Sequence, residues 1–514
     1  MSLARYLDKG ASLGRDAPCL VMGPTTLTYG DVVDHSHAVA RALARSGVAA
    51  GDKVGILSGN DPVAFATVFG IARRGAVWCP INPRNGAAEN AELLDLFDCV
   101  ALFHSRAYAP MVAEMDLPHL TTVVCLDDLD GWLADGTDVA PDAPDDTVMI
   151  VGTGGTTGRP KGVQLTDRNI ESMTALALMG YPFGADAASA GGSASAGGRP
   201  VYLAMAPLTH AAGVLCFPVM ALGGQVVVMP APDVGGFLAH VERHRVTHTF
   251  LPPTLIYMLL AHEALASTDL SSLQCFWYGA APMSPARLEQ ALTDIGPVMA
   301  QLFGQSEAPM FVSMMAPRDH FLPDGSVARH RLASAGRPGP LVTVGIMAQD
   351  GSLLGTGERG EIVVRSSLVM AGYYRNPEAT AEASAHGWHH TGDIGYLDDE
   401  GYLFVVDRAK DMIITGGFNV YSAEVEQALM AHEAVRDCGV VGLPDDKWGE
   451  RVVAVVQPQP GAQVDPGEVI AFVKARIGSV KAPKQVEIWP DLPRSTVGKV
   501  LKTDIKDRLR AAGG

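Results

Sequence analysis

From residue 29 to about residue 278 the chain alternates helix-length segments with short apolar runs, a pattern that leaves few architectures open to it. Residues 29–46 carry Val32, Val33, Val39 and Leu43 at helical spacing, and 53–57 reads as a strand. Asp61 before Pro62 is an N-cap followed by proline at N1, opening a helix that runs to about Arg74. Strands are predicted at 77–81, 100–104 and 122–126, then at 201–206, 225–229, 247–251 and 273–278, with helices at 234–244 and 254–262. Such βα repetition implies a parallel sheet covered on both faces. Residues 334–406 show short strands with Gly and Asp turns, which predicts a small β-rich, barrel-like subdomain. Beyond Asp407 the chain reads as one small α+β module with helices at 423–431, 466–477 and 503–511, and the charged run 407–411 between apolar strands suits a domain junction. The expected fold class is therefore α/β, with a large N-terminal domain of parallel-sheet subdomains over 1–407 and a small C-terminal domain over 411–514.

With 514 residues the chain exceeds what one core organises. Its net charge of −17 argues against non-specific binding to nucleic acid or anionic membranes, and points to small-molecule partners. Residues 1–9 lack an apolar signal core, and the apolar region 214–230 is broken by Pro218, Gly223 and Gly224. No membrane span and a cytoplasmic location are expected. Seven cysteines without a C-x-x-C pair read as reduced, buried fillers, neither a disulfide framework nor a zinc site.

Residues 152–162, Gly-Thr-Gly-Gly-Thr-Thr-Gly-Arg-Pro-Lys-Gly, begin with four glycines and three threonines in seven positions. Bare backbone N–H groups, hydroxyls and one lysine suit phosphate oxygens better than a packed core. A Walker A loop needs glycine before its lysine, where Pro160 stands, and a dinucleotide fingerprint needs a third glycine, where Thr157 stands. The stretch resembles instead the phosphate loop of the adenylate-forming enzymes, with acyl-CoA synthetases and adenylation domains among them. It departs once, at Gly154, where a second hydroxyl residue is usual. The resemblance implies phosphate contacts from Thr153, Gly154, Gly155, Thr156, Thr157, Gly158 and Lys161, with Thr156 also toward Mg²⁺. Residues 184–200, which have almost nothing bulky to bury, are expected to form a mobile surface excursion.

Further motifs carry the same resemblance. Forming an acyl-adenylate brings a carboxylate onto the α-phosphate of ATP, so cationic and hydrogen-bond compensation must be in place beforehand. Phe303-Gly304-Gln305-Ser306-Glu307 resembles the segment whose hydroxyl contacts the α-phosphate and whose glutamate binds Mg²⁺, implying those roles for Ser306 and Glu307. Gly279-Ala280-Ala281-Pro282 resembles the wall of the adenine pocket, and Asp393 after Thr391-Gly392 the acceptor of both ribose hydroxyls. Arg408 matches an arginine that reaches ribose and phosphate, and Lys410 the pivot of a hinge at 408–410 about which a mobile C-terminal domain turns. Gly416 and Gly417 would let backbone approach a pantetheine arm, and the segment with Trp448 resembles one common in CoA-using members. Ser422 stands where proline is frequent, a change expected to be neutral. His210 matches an aromatic or histidine at the mouth between acyl and pantetheine channels, although a lone histidine is more often structural. Lys499 matches a lysine that bridges the substrate carboxylate and α-phosphate, and its surroundings resemble a site where bacterial acyl-CoA synthetases are silenced by an acetyltransferase. His389-His390 invites a metal, but adjacent strand residues face opposite ways.

The resemblance spans nearly the whole chain and implies an AMP-forming acyl-CoA synthetase using ATP, Mg²⁺ and CoA on a carboxylic acid. Trp277, Met205, Phe217, Met310 and Met314 suggest an apolar acid pocket, with core packing as the alternative. A carrier-loading adenylation enzyme, an acyl-AMP ligase and an inactive nucleotide sensor remain alternatives, and a homodimer is left open.

Overall fold

The computed structural model describes residues 3–135, 146–153, 160–183, 198–208, 211–445, 447–494 and 500–512. The chain divides into two compact units, Met1–Val344 with Val364–His389, and Gly345–Val363 with His390–Gly514.

The first unit contains two large sheets. One runs from Arg337–Pro338 through Ser313–Met315, Met299–Phe303, Cys275–Tyr278, His248–Leu251, Val201–Ala204, Gln225–Val228 and Pro18–Met22 to Thr25–Thr28. Its inner pairs are parallel, as the βα repetition implies, while both edges turn antiparallel. The other runs from Gly372–Tyr373 through Lys161–Thr166, Thr147–Thr153, Val77–Ile81, Lys53–Leu57 and Cys99–His104 to Thr122–Cys125. Local chemistry sets the helices between these strands. Asp61 accepts from the Ala64 amide with Pro62 at N1 of Pro62–Arg73, and Thr28 and Thr166 cap Tyr29–Arg45 and Asp167–Gly180 through reciprocal bonds with Asp31 and Asn169. Gly70 lets the first two of these helices pack closely, since a Cβ there would stand 2.4 Å from Val39.

The second unit holds most of a four-stranded sheet of Thr343–Met347, Gly360–Arg365, His389–Leu397 and Leu403–Arg408. It also holds a five-stranded one of Phe418–Val420, Ile413–Thr415, Gly449–Pro458, Val435–Asp445 and Gln485–Ile488. Val440, Val452, Ala454 and Val456 of the latter sheet bury one face with Val425 and Leu429 of the helix Ser422–Met430 and with Val469 and Val473 of the helix Pro466–Lys481. The regular part of that last helix ends at 477, as expected, where Gly478 leaves helical dihedrals at φ 85° ahead of a short further turn to Lys481. All seven cysteines are free, and only Cys125 is not fully buried. Among the described residues, no helix is long and apolar enough to cross a membrane.

Candidate active site

The strands Thr147–Thr153 and Lys161–Thr166 pair antiparallel, with Gly152 opposite Gly162 and Thr153 opposite Lys161. The stretch read as a phosphate loop thus begins and ends on two paired strands, and Thr153 Oγ1 donates to the Lys161 carbonyl at 3.3 Å. Gly154, Gly155, Thr156, Thr157 and Gly158 lie outside the described residues. The flanking glycines have a packing role that corrects the reading of the whole stretch as ligand-facing. A Cβ on Gly162 would stand 2.7 Å from Phe97 and 2.9 Å from Ile150, and one on Gly152 3.1 Å from Leu93. They admit the helix Ala87–Leu96 and the phenyl ring that follows it.

Two neighbouring parallel strands of the nine-stranded sheet end in the next two motifs. Cys275–Tyr278 leads into Gly279, where a Cβ would stand 2.4 Å from the Leu302 carbonyl, so only glycine fits beside the adjoining strand. Ala280 then takes φ 64°, an uncommon conformation for an L-residue, and Ala280, Ala281 and Pro282 are exposed. Met299–Phe303 leads into Gly304, which a Cβ would drive to 2.4 Å from the Met310 amide. The turn through Gln305, Ser306 and Glu307 folds back so that the Val312 amide donates to the Phe303 carbonyl at 2.8 Å. Strand exits of this kind at the carboxyl edge of a parallel sheet are where α/β folds place ligands.

Glu307 is half-buried and doubly held: the Met370 amide donates to its carbonyl at 2.7 Å and the Tyr373 hydroxyl to Oε1 at 2.8 Å. Tyr373 belongs to the short strand paired with Lys161–Thr166, where it sits opposite Val163. The Lys161 ammonium lies 4.8 Å from the centre of its ring. Burial first, and then the Glu307 charge, push the Tyr373 phenol well above its ordinary value, so the hydroxyl stays protonated and donates. One tyrosine therefore joins the lysine and the acid that the motifs supplied separately. Sequence reading missed it, because Gly-Tyr-Tyr after an apolar run looks like an ordinary strand exit.

His210 and Thr209 lie outside the described residues, but the segment leading to them is fixed by Asn60. Its amide donates to the carbonyls of Ala206 at 3.1 Å and Met229 at 3.0 Å, and its oxygen accepts from the Leu208 amide at 2.8 Å. Asn60 was not singled out from sequence. Trp277, Met205, Phe217 and Met314 are buried core residues: Trp277 packs against Tyr181, Phe183, Tyr202 and His248. Met310 is half-buried at φ 65°. A small open-sided hollow is lined by Ile56, Asp61, Phe65, Trp78 and Leu208.

In the second unit Asp393 is 3% exposed, directly across the ladder from Arg408, whose Nε lies 2.7 Å from Oδ1. Both residues assigned to the nucleotide are here each other's partner. Burial lowers the Lys410 ammonium pKa, Asp411 raises it in part, and the net shift is downward. Gly416 and Gly417 take φ 58° and 79°, and the Gly416 amide donates to the Trp448 carbonyl at 2.7 Å. A Cβ on Gly416 would stand 2.9 Å from the Trp448 indole, which is itself 40% exposed. Lys499 and residues 495–498 lie outside the described residues. His389 Nε2 is 3.4 Å from Gln305 Oε1, whereas His390 Nδ1 meets Glu361 at 2.8 Å, so the two rings serve different partners. No group of three or more His, Cys, Asp or Glu side chains among the described residues could hold a metal ion.

The AMP-binding enzyme family matches residues 7–374 and the AMP-binding enzyme C-terminal domain matches 424–499. The chain is 36% identical over 504 residues to a feruloyl-CoA synthase of Amycolatopsis sp, covering 97% of each. It is 34% identical to the medium/long-chain-fatty-acid–CoA ligase FadD8 of Mycobacterium tuberculosis, covering 97% of this chain and 89% of that one. Among solved structures, the amide bond synthetase McbA of Marinactinospora thermotolerans superposes with a TM-score of 0.88 at 29% identity, over 99% of this chain and 100% of that one.

Proposed function

Because the chain belongs to the AMP-binding enzyme family and is an acid–thiol ligase, we propose that it joins an apolar carboxylic acid to coenzyme A through an acyl-adenylate, with ATP as the source of AMP. The acid is of medium- or long-chain fatty, alicyclic or aromatic type, a range that spans the acids in the names of the two similar ligases. The observation that carries the reading is the convergence of Lys161 and Glu307 on Tyr373 at the rim of the phosphate hairpin.

In this reading the acid's carboxylate attacks the α-phosphorus, and pyrophosphate leaves. Lys161 and the loop amides bind phosphate oxygens, and Ser306 donates to the α-phosphate. Glu307 has one carboxylate oxygen without a partner among the described residues, which fits Mg²⁺, a cation that takes one or two carboxylates together with phosphate oxygens. Magnesium, when bound, supplies charge neutralisation there. Asp393 accepts from the ribose, with Arg408 released toward phosphate, and Lys499 bridges the two anions. The C-terminal part then turns about Lys410, and Gly416, Gly417 and Trp448 receive the thiol arm for the second step, in which the thiolate displaces AMP. His210 lines the mouth of that channel.

The likeness to an amide bond synthetase favours one second reading, in which the adenylate is delivered to an acceptor other than CoA. Pyrophosphate release over short, medium, long, alicyclic and aromatic acids, with and without CoA and with products identified by mass, decides between them. AMP and one acyl-CoA class are expected; an adenylate that accumulates despite CoA would favour the other acceptor.

A further inference from the structure

The Tyr373 side chain has two surfaces in use at once. Its hydroxyl donates to Glu307 Oε1 at 2.8 Å, and its ring face carries the Lys161 ammonium at 4.8 Å. Its own backbone is pinned, for the amide donates to Thr380 Oγ1 at 2.9 Å and the residue is registered against Val163 in the sheet. Thr380 in turn belongs to the helix Pro377–Ala383 and bonds the Asn376 carbonyl at 2.8 Å. Asn376 caps that helix by accepting from the Ala379 amide at 3.0 Å. Tyr373 is thus rigidly seated, whereas Glu307 stands on the turn after Gly304 and Lys161 at the end of a hairpin.

We propose that Tyr373 is a positioning residue for adenylation, holding the Glu307 carboxylate by its hydroxyl and the Lys161 ammonium by its ring before the nucleotide arrives; this rests on the adenylate-forming reading above. With Oε1 engaged, the second oxygen of Glu307 is left for the cation that accompanies ATP. The ring holds Lys161, which has no carboxylate partner among the described residues, so its charge is not spent on an ion pair with them. Two groups of opposite sign are kept near each other without neutralising each other, and each keeps capacity for a ligand of the other sign. The adjacent Tyr374 is occupied differently, donating to Asp98 at 2.6 Å, and serves as the control.

The test uses the full-length enzyme and reads ATP binding by calorimetry with no acid present, across a Mg²⁺ titration, alongside pyrophosphate release. Tyr373→Phe keeps the ring and loses the hydrogen bond to a charged group, so the Mg²⁺ concentration giving half-maximal ATP binding should rise about tenfold. The kcat for pyrophosphate release should fall by a similar factor, with the KM for the acid unchanged. Tyr373→Leu removes the ring as well and should weaken ATP binding about threefold or more beyond this, even at saturating Mg²⁺. Tyr374→Phe should leave the Mg²⁺ dependence as in the wild type. The proposal is overturned if Tyr373→Phe binds ATP at wild-type Mg²⁺ concentrations, or if only its melting temperature changes. A wild-type enzyme that released pyrophosphate with no acid would instead sink the activity reading itself.

Discussion

Each unit contains a hydroxyl set between an acid and a lysine, and the two clusters are built to opposite ends. In the second unit Ser422 Oγ donates to Asp407 Oδ2 at 2.7 Å and accepts from Lys502 Nζ at 2.6 Å, while Lys502 pairs with Glu426 at 2.8 Å. Asp407 also accepts from the amides of Arg408 and Ala423, and Glu426 from that of Val440. Ser422 is 0% and Asp407 6% exposed. Both carboxylate oxygens of Asp407 and the Ser422 hydroxyl are engaged, as buried polar groups must be to stabilise. In the first unit Tyr373, Glu307 and Lys161 are each partly exposed, and Glu307 keeps an oxygen unengaged among the described residues. Similar side chains make a brace in one place and a receptor in the other. The difference lies in how much hydrogen-bonding capacity the fold leaves unfilled.

Glu307→Gln tests that contrast hardest. It should lower adenylation by about 10²–10³ while the melting temperature stays within a few degrees, because it removes charge from a group with capacity to spare. A large loss of stability would move Glu307 into the brace class. Lys502→Met should do the reverse, destabilising the second unit by about 3 kcal/mol in denaturant unfolding by leaving Glu426 unpaired. Adenylation measured well below the melting temperature should change less than that of Glu307→Gln; equal losses would erase the distinction.

Gly162→Ala sharpens the comparison from within the loop. A methyl group 2.7 Å from Phe97 should cost about 2 kcal/mol of first-unit stability with little change in the KM for ATP, since this glycine serves the core. A selective rise in that KM would return it to the ligand side. The smallest effect concerns pH. Burial lowers the pKa of His248 and of His320 to about 4. Unfolded, both titrate near 6.5, so the unfolded chain binds more protons below that value. Their contribution is complete above pH 6.5 and is lost as pH falls toward 4, by about 1 kcal/mol per unit for each ring. Acid unfolding followed by amide exchange should therefore begin in the first unit, and His248→Gln should flatten the slope.

Much of the scaffold was legible beforehand because its signals are local. Alternation of periods, Asp61 before Pro62 and the helix at Val234–His244 depend on residues within a few positions of one another. The motifs around Lys161, Glu307, Asp393 and Arg408 were legible for the same reason. Tyr373 was not, since its meaning comes from Glu307, 66 positions back, and from a strand much farther back still. Ser422 was read only as a harmless departure from proline, and its place at the centre of the brace came into view through Lys502 at 80 positions' distance.

Composition, periodicity and contiguous motifs by themselves determined the α/β class and the order of its elements, while the motifs' resemblance proposed which side chains would meet phosphate, magnesium and ribose. Which of those side chains share a partner, which glycines pack against a ring, and how far a polar cluster's hydrogen-bonding capacity is filled were decided only by tertiary structure. Periodicity reports which face of an element is apolar. Hydrogen-bond saturation depends on every donor and acceptor within about 3 Å, and the folded chain brings those together from positions that no local pattern connects.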